Sequence, residues 1–334
     1  MSQLKSAVIG LGAIHQNHLH ALSKIPETTL SAVCDIDPEL LLSRQEKLLC
    51  EGFTDYREMI DTVRPDVVHI CTPHYLHAPM AIYAMEHGCH VLTEKPMAIH
   101  EEETRQMIET ASKTGKTLGI CFQNRYNPTS QRIRSLLDSG EAGKVLSIKM
   151  TVTWNRDEKY YGQAAWRGTW SMEGGGVLIN QAIHTLDLML WYAGEVESVQ
   201  AQASSFRLGQ AIEVEDTAHG YIHFKNGATG IFYATNAFGA DSPIELDIIC
   251  EHAHILLKND LDISFDDGRT EHMTNTSLVS GSKGYWGNGH DALIRDYYDH
   301  ILQGKPFPID GTEAAKVIHL IQGIYHSAGI GPEQ

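Results

Sequence analysis

Through the first 120 residues, short and continuously apolar runs alternate with amphipathic stretches. The runs fall at 7–10, 30–34, 67–71, 90–93 and 118–121, rich in Val, Ile and Leu and bounded by turn residues. Helix-period stretches lie between them, at 38–49, 78–87 and 101–112. A strand that is apolar on both faces has to be covered on both faces. The alternation therefore predicts an α/β unit built on a doubly wound parallel sheet.

Beyond residue 126 the rhythm changes. Longer segments with alternating polarity follow at 145–154, 196–203, 217–224, 229–234, 246–250, 254–258 and 261–265, and Asn226-Gly227 marks a tight hairpin between two of them. Helices are expected at 130–138, 178–192, 291–303 and 312–327. Consecutive strands with few helices predict an α+β domain with a large, mainly antiparallel open sheet. We divide the chain at 1–122 and 123–334 and find neither an internal repeat nor a low-complexity linker.

Composition narrows the partners. The chain has 334 residues, 42% of them hydrophobic, with 26 basic against 42 acidic side chains and a net charge of −16. A basic face for nucleic acid is not expected, nor is docking on anionic lipid. No apolar run approaches the ~18 residues that span a membrane, and the first residues do not read as a signal peptide. The six cysteines are scattered without a C-x-x-C pair, which suggests reduced thiols and a cytoplasmic location.

The first apolar run leads into Gly10-Leu11-Gly12-Ala13-Ile14-His15, followed by a helix. A strand, a glycine-rich turn and a helix form the context of a dinucleotide fingerprint. Gly10 permits the tight turn, and Gly12 lets backbone approach a pyrophosphate at the helix N-terminus. His15 replaces the third glycine, and an ordinary strand–helix turn is the competing reading. Asp35 ends the second strand 20 residues after His15. An acid there accepts the ribose hydroxyls and repels a 2′-phosphate, so NAD is expected rather than NADP.

Two further segments carry chemistry. Lys95, in Glu94-Lys95-Pro96, follows a parallel strand, at the edge of the sheet where ligands bind. It could hold a substrate hydroxyl, or simply pair with Glu94 at the surface. After Gly174-Gly175-Gly176, a helix sets Asn180, His184 and Asp187 on one face. A neutral imidazole there is a suitable general base for an alcohol, while a core histidine satisfied by Asp187 is the plainer alternative.

Together these motifs resemble the Gfo/Idh/MocA family of sugar and inositol dehydrogenases over essentially the whole chain. The resemblance rests on Gly10-Leu11-Gly12 with His18, Asp35, Cys71-Thr72-Pro73 with His77, Glu94-Lys95-Pro96 and Asn124-Arg125-Tyr126. It continues through Trp166-Arg167-Gly168-Thr169-Trp170, the triple-glycine helix to Asp187, and the segment 287–290. It implies a Rossmann domain, then the α+β domain, and NAD(P)-linked oxidation of a secondary hydroxyl on a carbohydrate or cyclitol.

Carried over residue by residue, Lys95 and His184 match the catalytic pair. Gly10, Gly12, Ala13, Ile14 and Asp35 match the dinucleotide turn. Thr72, Pro73, His77, Glu94, Lys95, Pro96, Asn124, Trp166 and Arg167 match cofactor-side positions. Asn180, Arg167, Arg125, Tyr126 and Asp187 match substrate-side positions. Asn180 stands where many inositol dehydrogenases carry Asp. It can hydrogen-bond a hydroxyl but cannot take a proton, which concentrates the base role on His184. The resemblance also implies homodimers or homotetramers assembled through the second domain's sheet. A nucleotide-sensing regulator of the same fold is the alternative class. A metal enzyme, drawing on clusters such as His15-x-x-His18-x-His20, is not expected, since no His-Glu-x-x-His is present.

Overall fold

The structure is a computed structural model and describes residues 3–274 and 289–331. Among these, 3–123 and 289–315 form one compact unit, and 124–274 with 316–331 form a second.

The first unit is a six-stranded sheet of β1 (Leu4–Ile9), β2 (Thr28–Cys34), β3 (Glu51–Phe53), β4 (Val67–Ile70), β5 (His90–Thr93) and β6 (Leu118–Ile120). Its order is β3-β2-β1-β4-β5-β6, and every pairing is parallel. This is the doubly wound order, which reverses between β1 and β4 and opens a crevice at their carboxyl ends. The crossovers carry α1 (His15–Leu22), α2 (Pro38–Leu48), α3 (Tyr56–Val63), α4 (His77–Glu86) and α5 (Glu101–Thr114). Ala7, Val8, Val67, Val68, Val91 and Leu92 are fully buried, as strands covered on both faces require. Asp37 caps α2 by accepting from the Glu39 and Leu40 N–H groups, with Pro38 opening the helix.

The second unit begins with α6 (Pro128–Asp138), β7 (Val145–Thr153), the single turn α7 (Glu158–Tyr161) and α8 (Ile183–Ala193). A π-helical turn, Leu178–Ala182, precedes α8. Then come β8 (Val196–Ser204), β9 (Thr217–Phe224), β10 (Thr229–Thr235), β11 (Glu245–Cys250), β12 (Ala253–Lys258), β13 (Asp260–Phe265) and β14 (Thr270–Met273). The sheet runs β14-β13-β12-β11-β7-β10-β9-β8. Its pairings are antiparallel except β7 with β10, which run parallel. One face is apolar: Ile148, Met150, Val152, Ile222, Phe232 and Ile248 lie on it, all buried. Met189 of α8 packs against Gly230 on that face, where a Cβ would come within 2.6 Å of it. The other face presents His219, Tyr221, His223, Ile231 and Tyr233 outward.

The chain closes with α9 (Gly289–Gln303) and α10 (Gly311–Ala328). A linear division at residue 122 assigns α9 to the second domain, whereas α9 belongs to the first unit. The cause is its buried tyrosines. Tyr297 lies against Gly119, where a Cβ would come within 2.7 Å of its ring. The Tyr298 hydroxyl reaches Ser6 of β1 at 2.5 Å and His69 of β4 at 2.9 Å. Such long-range pairings leave no trace in local periodicity.

Candidate active site

In the first unit, β1 ends at Gly10, whose φ is +91°. A side chain at Gly10 would also drive its Cβ to 2.6 Å from the Cys71 carbonyl oxygen, so only glycine fits. Gly12, by contrast, faces open space, with no atom within 4 Å of the Cβ it lacks. Ala13 and Ile14 complete the turn into α1. His15 folds back: its Nδ1–H donates to the Gly12 carbonyl, and the ring is buried.

Asp35 accepts from the Leu11 N–H at 2.7 Å and the Asp37 N–H at 2.9 Å, one on each oxygen. A carboxylate has about four acceptor sites, so it keeps capacity for ribose hydroxyls while it braces the glycine turn. An open cradle at Gly12 beside an acid at the end of β2 fits a dinucleotide.

At the neighbouring strand ends, Thr72 and Pro73 follow β4, and Lys95 and Pro96, joined to each other by a cis peptide bond, follow β5. His77, wholly buried, joins the two turns: Nδ1 lies 2.6 Å from the Pro96 carbonyl and Nε2 lies 2.8 Å from that of Thr72. His77 thus holds the turns and offers neither nitrogen outward.

Glu94 points into the unit, where Oε1 accepts from His18 Nε2 at 3.1 Å and His290 Nε2 at 3.2 Å. Burial alone would raise its carboxyl, but these two donors hold it well below the usual range. Behind it, His18 Nδ1 meets His69 Nδ1 at 2.8 Å, and burial lowers the pKa of both imidazoles. Among the described residues, His18, Glu94 and His290 form the one group whose ligand atoms converge within 4.8 Å, close enough for a metal ion. His290 belongs to the segment 287–290; Gly287 and Asn288 lie outside the described residues.

In the second unit, Arg167 stacks its guanidinium 4.2 Å from the Tyr160 ring centroid and 5.0 Å from that of Trp166. Asn180 sits in the π-helical turn. Its amide nitrogen donates to Glu173 and approaches the Tyr160 hydroxyl at 3.5 Å. Gln181 donates to the same hydroxyl at 3.0 Å. His184 follows within the first turn of α8 and is buried.

The glycine strip is shaped by Glu215, which accepts from Gly176 N at 2.9 Å, Leu178 N at 3.0 Å and the Tyr325 hydroxyl at 3.1 Å. A Cβ on Gly176 would overlap the Glu215 carbonyl oxygen, which explains the glycine there. Burial pushes the Glu215 carboxyl up to about 7.

The structure therefore brings Asn180 and Arg167 together around Tyr160. Arg125 and Asp187 instead meet each other as a buried ion pair. Asn124 is buried and Tyr126 half-buried, both in the turn Gln123–Tyr126. Tyr160, Glu173, Gln181 and Glu215 escaped sequence reasoning. Only Glu173, adjoining the glycine strip, carried a local signal.

Residues 4–122 match the model described as "Oxidoreductase family, NAD-binding Rossmann fold", and residues 130–256 match the GFO/IDH/MocA C-terminal domain. D-glucoside 3-dehydrogenase of Escherichia coli (strain K12) is 29% identical over 99% of this chain and 97% of its own length. The WlbA dehydrogenase from Chromobacterium violaceum, solved with NADH and UDP-GlcNAcA, is 30% identical, with a TM-score of 0.84 over 98% of this chain and 94% of that one. A levoglucosan dehydrogenase solved with NADH and levoglucosan has a TM-score of 0.87 at 25% identity, over 98% of both chains. With the parallel sheet, its glycine turn and the Glu-Lys-Pro turn in the first unit, and the triple-glycine helix over an open sheet in the second, the chain belongs to the GFO/IDH/MocA oxidoreductase family.

Proposed function

We propose that the protein oxidises a secondary hydroxyl of a sugar, sugar derivative or cyclitol, using NAD⁺. The observation that carries this reading is Lys95 at the carboxyl end of β5, in a turn tied by His77 to the Thr72 turn beside the dinucleotide cradle. Bound NAD⁺ supplies the hydride acceptor. Gly10, Gly12, Ala13, Ile14 and Asp35 would hold its pyrophosphate and ribose, and Thr72, Pro73 and Pro96 would line its nicotinamide end. Asn124 and Trp166 are assigned to the cofactor side as well.

Lys95 donates to the reacting oxygen and stabilises the negative charge that develops there. His184 takes the hydroxyl proton as general base. Asn180, Arg167 and Tyr126 orient neighbouring substrate groups. In this reading Glu94 and His77 hold the Lys95 turn, and Arg125 and Asp187 hold α8. The outward sheet face with Tyr221 and Tyr233 would meet a second copy of the chain.

The test is NADH formation with a panel of glucosides, levoglucosan, myo-inositol and a UDP-linked sugar acid. Wild type should reduce NAD⁺ with at least one of them, and Lys95→Ala and His184→Ala should not. Equal turnover by the variants would refute the assignment.

A further inference from the structure

We propose that His18, Glu94 and His290 bind one divalent transition-metal ion, with zinc the best match to their donors. The ion would be structural, tying α1 and α9 to the turn that carries Lys95, and it stands apart from the proposed oxidation.

Three elements of the first unit bring these ligands together. His18 lies on α1, Glu94 follows β5 and His290 opens α9. All three are buried, and one ligand atom from each lies within 4.8 Å of the other two. His18 Nε2 and His290 Nε2 stand 3.1 and 3.2 Å from Glu94 Oε1. An N–H donating to a carboxylate usually sits closer, at about 2.7–2.9 Å. Ligands around tetrahedral zinc, each about 2.0–2.2 Å from the ion, sit about 3.3 Å apart. Glu94 Oε2 serves the turn, accepting from the Lys95 N–H at 3.3 Å. The carboxyl also hydrogen-bonds to the buried Cys121 thiol.

The groups behind His18 call for the same ion. A string of contacts runs from His18 Nδ1 to His69 Nδ1 at 2.8 Å, and from His69 Nε2 to the Tyr298 hydroxyl at 2.9 Å. It continues from Tyr298 to Ser6 at 2.5 Å, from Ser6 to Thr28 at 2.5 Å, and from Thr28 to the Leu4 carbonyl at 2.9 Å. These are five contacts, and two neutral imidazoles with three hydroxyls supply five hydrogens. A carbonyl only accepts, so Thr28 donates to Leu4, Ser6 to Thr28, Tyr298 to Ser6, His69 to Tyr298 and His18 to His69. Every contact is then served, and His18 Nε2 turns a lone pair toward Glu94.

If Nε2 instead keeps a hydrogen for Glu94, the string is one hydrogen short. A metal ion at Nε2 removes that conflict. It also makes His69 the outer partner that a metal-bound imidazole commonly has for its other ring nitrogen. An imidazolium at His18 would serve every contact too, but both rings are 0% exposed, and burial disfavours the charge.

The test is elemental analysis of the full-length, tag-free protein as wild type, His290→Ala and His20→Ala. His20 is exposed and lies outside the cluster. Wild type and His20→Ala should hold about one metal ion per chain, and His290→Ala roughly a tenth of that or less. After chelation of the wild type, zinc(II) should raise the melting temperature, and cobalt(II) should give the visible absorption of a tetrahedral site. Tyr298→Phe cuts the string and should weaken zinc binding roughly 10- to 100-fold in competition with a chelator.

A wild type that holds no metal, and whose melting temperature zinc(II) does not raise, overturns the proposal. Metal retained in full by His290→Ala does the same, since it then sits elsewhere. If His290→Ala fails to fold, the cobalt spectrum and zinc-dependent melting of the wild type decide. An unchanged zinc affinity in Tyr298→Phe overturns the part given to the string.

Discussion

The Arg125 guanidinium grips the Asp187 carboxylate with two hydrogen bonds, Nε to Oδ2 at 2.8 Å and Nη2 to Oδ1 at 2.6 Å. Both side chains are buried, at 6% and 2% exposure. Asp187 lies three residues after His184 on α8, so the pair anchors the helix that carries the proposed base. Removing one partner strands a buried charge, which costs about 3–5 kcal/mol. Arg125→Ala should therefore lower the melting temperature by roughly 10 °C. A loss no larger than that of an exposed arginine such as Arg105 would assign the pair no anchoring role.

His184→Ala should cut turnover by roughly 100- to 10,000-fold, the contribution of a positioned base, while NAD⁺ affinity stays near wild type. Lys95→Ala should behave similarly, with weaker sugar binding as well. The two losses should not add, because both groups act on one proton-transfer step. Titration of NAD⁺ alongside turnover checks this. Turnover within a few-fold of wild type in His184→Ala would remove it from the mechanism.

Asp35→Ser should relax the preference for NAD⁺ over NADP⁺ by removing the charge that repels a 2′-phosphate. Because Asp35 also braces the Leu11 N–H, affinity for both cofactors should fall somewhat. Dissociation constants for the two cofactors decide it, and equal wild-type affinities would contradict the assignment.

Stability should decline as pH rises through neutrality. The Glu215 carboxyl titrates at about 7 in the folded chain against 4.5 for an unperturbed glutamate. Between these values the folded state holds a proton that the unfolded chain has released, so stability falls with rising pH. The contribution is complete below about 4.5 and lost above about 7. Glu215→Gln should flatten this slope in urea titrations from pH 5 to 8, whatever it does to overall stability. An unaltered slope would place the dependence elsewhere.

The outward face of the eight-stranded sheet should join copies of the chain. Tyr221 is 58% exposed and Tyr233 41%, with Ile231 between them in register. Light scattering should report a dimer or tetramer, and Tyr221→Glu should shift it toward monomer. A monomeric wild type at micromolar concentration would argue against this face.

Much of the architecture was legible in the residues themselves. Continuously apolar runs such as 67–71 could only be strands covered on both sides, and the alternation at 217–224 could only leave one face outward. The glycine turn was legible because, at Gly10, a positive φ and the nearby Cys71 carbonyl admit only glycine. Short elements such as β3 and α7 escaped, being too brief to establish a period.

The tertiary structure decided what periodicity cannot encode. Local pattern reports which face of an element is buried but not which distant group meets it. Hence α9 returns to the first unit, because Tyr298 finds Ser6 and His69. Glu94 turns inward between His18 and His290. Asp187 is claimed by Arg125, 62 residues earlier in the chain.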